Sequence, residues 1–103
     1  MICALTVRTL KPGTFEDFRT AFMGHANPDT VPAGWVRFSM VRGVENPDEV
    51  VCFGFFDGSL DELRGSGQEG YSEQMAAITP YVEFVGTDAL FEVVEDFSRE
   101  PAL

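Results

Sequence analysis

The chain has 103 residues, with seven Lys and Arg against seventeen Asp and Glu and a formal net charge of −10. That length closes one hydrophobic core and hardly two, and that charge repels phosphate backbones and anionic headgroups, which makes nucleic acid and membrane surfaces poor candidates as partners. Hydrophobic residues make up 45% of the chain and ten are Phe, enough for a folded core and for apolar surface that calls for a dimer interface or an internal pocket.

The start, MICALTVRTLKPG, has a short apolar run followed by Arg8 and Lys11, the pattern of a first strand and not of a signal peptide. No apolar run approaches the roughly 18 residues that cross a bilayer, so the expected location is the cytoplasm. Ile2 to Thr9 is rich in strand formers and stops at Lys11-Pro12-Gly13. A helix follows, with Thr14 at its N-cap, Asp17 in the acidic position of a capping box, and Phe15, Phe18 and Phe22 on one face up to Gly24. His25 to Gly34 (HANPDTVPAG) holds two prolines and a glycine and reads as an irregular connection over the surface or a pocket mouth.

Trp35 to Val44 and Val50 to Asp57 are strand patterns separated by the turn cluster Glu45 to Glu49, which makes them a hairpin. VVCFGFF in the second run is apolar at nearly every position, so that strand is buried on both faces and central. Ser59 and Glu62 form a second capping box ahead of a break at Gly65-Ser66-Gly67. The helix then resumes: Tyr71, Met75, Ile78 and Val82 make an apolar stripe that should lie on the sheet, with Pro80 ending or bending the regular part. Gly86-Thr87-Asp88 reads as a turn and Ala89 to Phe97 as the last strand; Ser98 to Leu103 is a polar tail beyond a single domain spanning 2–97.

Strand, helix, hairpin, helix, strand is the split βαβ order of an α+β, ferredoxin-like βαββαβ fold: a four-stranded antiparallel sheet with strands one and three central and both helices on one face. The other face stays bare, and a second copy of the same sheet is the economical cover, so a homodimer is expected. The element order, the hairpin running into DGSLDEL, and the closing PYVEFV and LFEVVE segments resemble the antibiotic biosynthesis monooxygenase-like family of the dimeric α/β-barrel superfamily over about residues 2–97.

That resemblance implies a homodimer with a ligand cavity between sheet and helices in each subunit. Its characterised members include cofactor-independent oxygenases of polycyclic phenols, haem-degrading oxygenases, and isomerases or dehalogenases of small aromatic compounds. The quinone-forming oxygenases use Asn, Trp, Tyr and Arg around a phenol, a set that does not map onto this chain residue by residue. The haem-degrading branch carries an Asn on the first strand and a His late in the second helical segment. Here the first strand has no Asn and the sole histidine is His25.

The residues themselves offer a short set of candidates. His25 is of the type that exchanges protons readily near neutrality and, with Asn27, stands where a loop meets a helix end; a solvated helix C-terminal His is the plainer reading. Tyr71 can hydrogen-bond a phenol or carbonyl, or be a core tyrosine with its tip in water. Trp35 can stack on a flat ligand or simply fill core or interface. Arg37 shares its parity and is expected on the same face. Arg8 and Arg37 both lie in strand patterns, where either can bind a carboxylate or an oxyanion if it points into the cavity, pairing with a local carboxylate being the commoner fate. Met75 lies one helical turn from Tyr71 and is a candidate ligand contact. Cys3 and Cys52 lack metal-ligand spacing and read as buried, reduced thiols. Glu92, Glu95 and Asp96 read as a solvated edge, and no phosphate loop, Ser-His-Asp set or HExxH motif is present, so neither metal nor cofactor is expected.

Three functions remain open from the sequence. One is a cofactor-independent monooxygenase, or related small enzyme, using His25 and Tyr71 on an aromatic, polyketide-like molecule held by Trp35, Arg37, Asn27 and Met75. The second is a non-catalytic dimeric module that binds a small hydrophobic ligand or regulates another protein. The third is a haem-binding or haem-degrading protein.

Overall fold

Alternation of buried and half-buried residues runs along the central strands at 50–56 and 8–10, and an aromatic stripe on the first helix closes them from one side. The computed structural model describes residues 1–65 and 71–99. Along the chain run β1 (Ile2–Leu10), α1 (Phe15–Met23), β2 (Trp35–Arg42), β3 (Glu49–Phe56), α2 (Leu60–Gly65), α3 (Tyr71–Ile78), a 3₁₀ turn (Thr79–Tyr81) and β4 (Val82–Glu92). The strands form one four-stranded sheet in the order β2-β3-β1-β4, antiparallel at each pairing. This is the expected ferredoxin-like arrangement, with β1 and β3 central.

In α1, Phe18 and Phe22 are the buried residues, a helical turn apart on one face. They close with Leu10, Val50, Cys52 and Ile78 into one core cluster, so α1 and α3 cover the same side of the sheet. Burying a side chain such as Phe18, 0% exposed, stabilises the fold by about 1.5–3 kcal/mol. Arg42 at the end of β2 lies over the Phe15 ring, 4.1 Å from its centroid, and holds the helix start against the sheet edge.

The helix starts differ from each other. Ser59 makes the reciprocal capping box: Glu62 N donates to Ser59 Oγ and Ser59 N donates to Glu62 Oε1, each at 3.1 Å. These bonds to the charged form hold the Glu62 carboxyl below the usual carboxylate range. Thr14 makes no side-chain cap on α1. Its hydroxyl donates to Lys11 O at 2.7 Å, closing the turn before the helix, so the expected box with Asp17 does not form.

The last strand also departs from expectation. It begins at Val82, seven residues before Ala89, and ends at Glu92. Pro80 ends the helical run, and Val82, expected on the helix stripe, pairs with Leu10. Gly86, expected in a turn, is the extra residue of a bulge between the pairs Val7–Thr87 and Arg8–Val85; a second bulge at Glu83 follows between Thr9–Phe84 and Leu10–Val82. Of the expected break at Gly65-Ser66-Gly67, Gly65 is the last described residue of α2, while residues 66 and 67 lie outside the described residues, as do 100–103 of the tail. None of the described helices is long and apolar enough to cross a membrane.

Candidate functional site

Beneath the helices the sheet changes character along its length. The residues of β1 and β3 that face the helices pair as Arg8–Val50, Thr6–Cys52 and Ala4–Gly54. At the Leu10 and Val50 end, large side chains meet Phe18 and Ile78 and the space is filled. Toward Ala4 and Gly54 the side chains shrink to a methyl group and a hydrogen, and a cavity of about 930 Å³ opens between sheet, helices and the 25–33 connection. That volume lies toward the upper end of the roughly 300–1,000 Å³ typical of small-molecule sites.

Trp35 forms one wall. It stands opposite Phe56 in the ladder, its ring edge-on to the Phe56 ring at 5.4 Å between centroids. Gly54 makes room for it: a Cβ there would lie 3.1 Å from Trp35 Cζ3, closer than side chains pack without something shifting. The neighbouring wall is a stacked aromatic pair, Phe22 and Phe38, with centroids 5.3 Å apart. The expected shared face of Trp35 and Arg37 is not observed. A register shift between them sets Arg37 opposite Phe55 while Trp35 stays opposite Phe56, so the ladder carries Arg37 to the other face, and it meets the cavity only at this irregular edge.

The connection from α1 to β2 is a hydrogen-bonded cover. Asn27 holds it together: its Nδ2 donates to Met23 O at 2.8 Å and its Oδ1 accepts from Asp29 N at 2.9 Å. The Asn27 amide is therefore engaged at both ends. Thr30 Oγ1 donates to His25 O at 2.7 Å, and Asp57 N donates to Gly34 O at 2.8 Å, anchoring the far end to β3. His25, half-buried, lines the cavity from this cover, and Met75 and Tyr71 line it from α3. Tyr71 is 48% exposed, so it stands toward solvent where a position pressed on the sheet was expected; Ile78, two turns further, takes that place. The structure thus brings His25, Asn27, Trp35, Arg37, Tyr71 and Met75 to one cavity, with different degrees of freedom to act there.

Arg8 is the unusual group. It is 6% exposed and lines the cavity from its filled end, with its guanidinium carbon 5.8 Å and 5.7 Å from the centroids of Phe18 and Phe22. Its Nη1 is buried and, among the described residues, has no hydrogen-bond acceptor. Beside it Cys52 is buried, and burial pushes its thiol up to about 11, against an opposing pull from the charge and hydrogen bond of Arg8. Asp88, on β4 across from Thr6, also lines the cavity and accepts from Thr6 Oγ1 at 3.4 Å. Sequence reasoning did not single out Gly54, although a glycine inside a central apolar strand is the signal of a close approach. Nor did it find Asp88, because the strand that carries it was read as a turn.

No protein-family model matches the chain, and no curated protein does either. Solved structures do. SnoaB, a cofactor-independent oxygenase from Streptomyces nogalater seen as a single-residue variant, superposes with a TM-score of 0.78 at 17% identity, over 95% of this chain and 97% of that one. A Caulobacter crescentus protein whose name places it with the antibiotic biosynthesis monooxygenases gives 0.76 at 17%, over 91% and 90%. A Mycobacterium tuberculosis protein gives 0.70 at 17%, over 94% and 98%. At these identities the likeness is one of architecture: the chain has the ferredoxin-like fold shared by proteins named as antibiotic biosynthesis monooxygenases.

Proposed function

We propose that the chain is an antibiotic biosynthesis monooxygenase-like enzyme that oxidises an aromatic, polyketide-like small molecule in the cavity between sheet and helices, without a cofactor. The observation that carries this reading is the cavity of about 930 Å³, walled by Trp35, Phe22 and Phe38, in a chain that shares its fold with a cofactor-independent oxygenase. Flat walls of this kind suit a fused-ring ligand. In this reading Trp35 and Met75 hold the rings, Tyr71 at the mouth donates to a ring oxygen, and His25 accepts the proton whose loss makes the ring electron-rich enough to meet dioxygen. One oxygen atom then becomes the new carbonyl and the other leaves as water with the two hydrogens of the oxidised carbon. Asn27 holds the cover in place, and Arg37 belongs to the edge.

The working unit in this proposal is a homodimer joined through the sheet face away from the helices, where β4 leaves Phe84 62% and Phe91 48% exposed. Sedimentation of the purified chain reads this directly. The activity is tested with a panel of anthrones and hydroxynaphthalenes, following oxygen uptake and quinone absorbance together. Stoichiometric uptake lost in a Trp35→Ala and His25→Ala double variant supports the reading; binding of the panel with no oxygen uptake by the wild type overturns the enzymatic part. A ligand-binding module without catalysis is the second reading, favoured by Tyr71 standing open to solvent.

A further inference from the structure

We propose that Arg8 is the anion receptor of the cavity, and that the ligand is an aromatic compound carrying an oxyanion, an ionised phenol or a carboxylate, that sits against its guanidinium. The proposal rests on the reading of the cavity as a ligand site and names the class of ligand it takes.

A buried cation is costly unless something pairs with it. Arg8 is 94% withdrawn from solvent, being 6% exposed, and among the described residues the one ion pair is Arg19 with Glu16, at 3.4 Å on the surface of α1. The faces of Phe18 and Phe22 offset part of the charge. Cys52, whose thiol stays protonated at neutral pH, supplies no counter-charge. Three acids stand near it on the strands: Glu49, opposite Thr9, and Glu83 and Asp88, which border a second pocket beside Arg8; all three are exposed, and Asp88 takes its hydrogen bond from Thr6. What remains is a positive group at one end of an apolar, aromatic-walled cavity, with Nη1 lacking an acceptor among the described residues. An anion in that space experiences weak screening, so the attraction is far stronger than on a surface. The same field favours the ionised form of a bound phenol, the form that gives electrons most readily.

Two matched probe pairs test this, each keeping the ring frame and changing the charge: 2-naphthoate with 2-naphthamide, and 4-nitro-1-naphthol with its methyl ether. Calorimetry is run on the wild type and on Arg8→Met, with absorbance following the ionisation of the nitronaphthol. A charge-assisted hydrogen bond predicts that at least one anion binds the wild type about tenfold or more tightly than its neutral partner, and that Arg8→Met abolishes the preference while the neutral partner binds within about twofold. A preference confined to naphthoate identifies a carboxylate ligand. One confined to the nitronaphthol, with its pKa lowered by about one unit on binding, identifies an ionised phenol.

The proposal falls if neither anion outbinds its neutral partner in the wild type, or if Arg8→Met retains the preference. In the first case, tight binding of the neutral compounds leaves the cavity reading standing; if none of the four probes binds, both readings fall together. Should Arg8→Met not fold, Arg8→Lys keeps the charge without the planar fork and is expected to retain part of the preference, and the wild-type comparison still decides.

Discussion

On β1, Ala4, Thr6, Arg8 and Leu10 face the helices, while Cys3, Leu5, Val7 and Thr9 face away; on β3, Val50, Cys52, Gly54 and Phe56 are the buried set and Val51, Phe53 and Phe55 the half-buried one. Along these two central strands the covered face mixes small, polar and charged residues with Leu10, Val50 and Phe56, and the bare face is apolar but for Thr9 and Glu49. The usual expectation for a sheet with one open side is the reverse, polar outside and apolar within. The difference teaches that the covered face is built around a space, and that the bare face carries the apolar surface of a core without a second layer to meet it. On it Phe53 and Phe55 pack edge to face at 6.0 Å between centroids.

The largest expected effect breaks the filled end of the covered face. Phe18→Ala removes a fully buried ring and is expected to cost about 3–5 kcal/mol, read as a lowered urea midpoint. Next comes the bare face. Phe84→Glu with Phe91→Glu places two charges on it and is expected to convert the proposed dimer to a folded monomer in sedimentation, with an unchanged far-ultraviolet spectrum. Unaltered mass would instead place the interface elsewhere.

Gly54→Val probes the hollow end. The added methyl groups meet the Trp35 ring, and the expected cost is about 1–3 kcal/mol, with weakened binding of aromatic probes as the sharper readout. If stability falls and binding does not, the cavity is not where the probes sit.

The smallest effects concern thiols and a cap. Cys52 is buried and its pKa is raised to about 11, whereas Cys3 is half-buried. A thiol whose folded pKa exceeds its unfolded value contributes stability that is whole below the unfolded pKa and is lost as pH rises through the folded one. Melting temperature should therefore decline between the ordinary thiol pKa and about 11, less steeply in Cys52→Ala, and Cys3 should react first with a thiol reagent once Phe84→Glu and Phe91→Glu open the bare face on which it stands. Ser59→Ala is expected to cost about 1 kcal/mol by removing the cap of α2.

Much of this architecture is legible in the sequence because its signals are local. The hairpin is announced by Asn46-Pro47-Asp48, α1 by its phenylalanine spacing, and α2 by Ser59 and Glu62. The errors come where a tertiary partner decides. Val82 continues the apolar stripe of α3, so periodicity extends the helix, but pairing with β1 makes it strand. Trp35 and Arg37 share parity in the chain, but a register shift opposite Phe55 and Phe56 separates them. The site is legible in its residue types and not in its shape. His25, Tyr71 and Trp35 stand out by chemistry, whereas the hollow depends on Ala4 and Gly54, which stand out only as absences of side chain.

The two bulges of β4 carry a consequence for how related chains can vary in length. Gly86 and Glu83 are each unpaired steps in an otherwise continuous ladder, so deleting Gly86 leaves Thr87 opposite Val7 and Val85 opposite Arg8, as before. No side chain changes face. What changes is the bend of the strand, and with it the curl of the sheet beneath Arg8. Loss or gain of one residue at this edge is thus a way to reshape the cavity without altering a single residue that lines it.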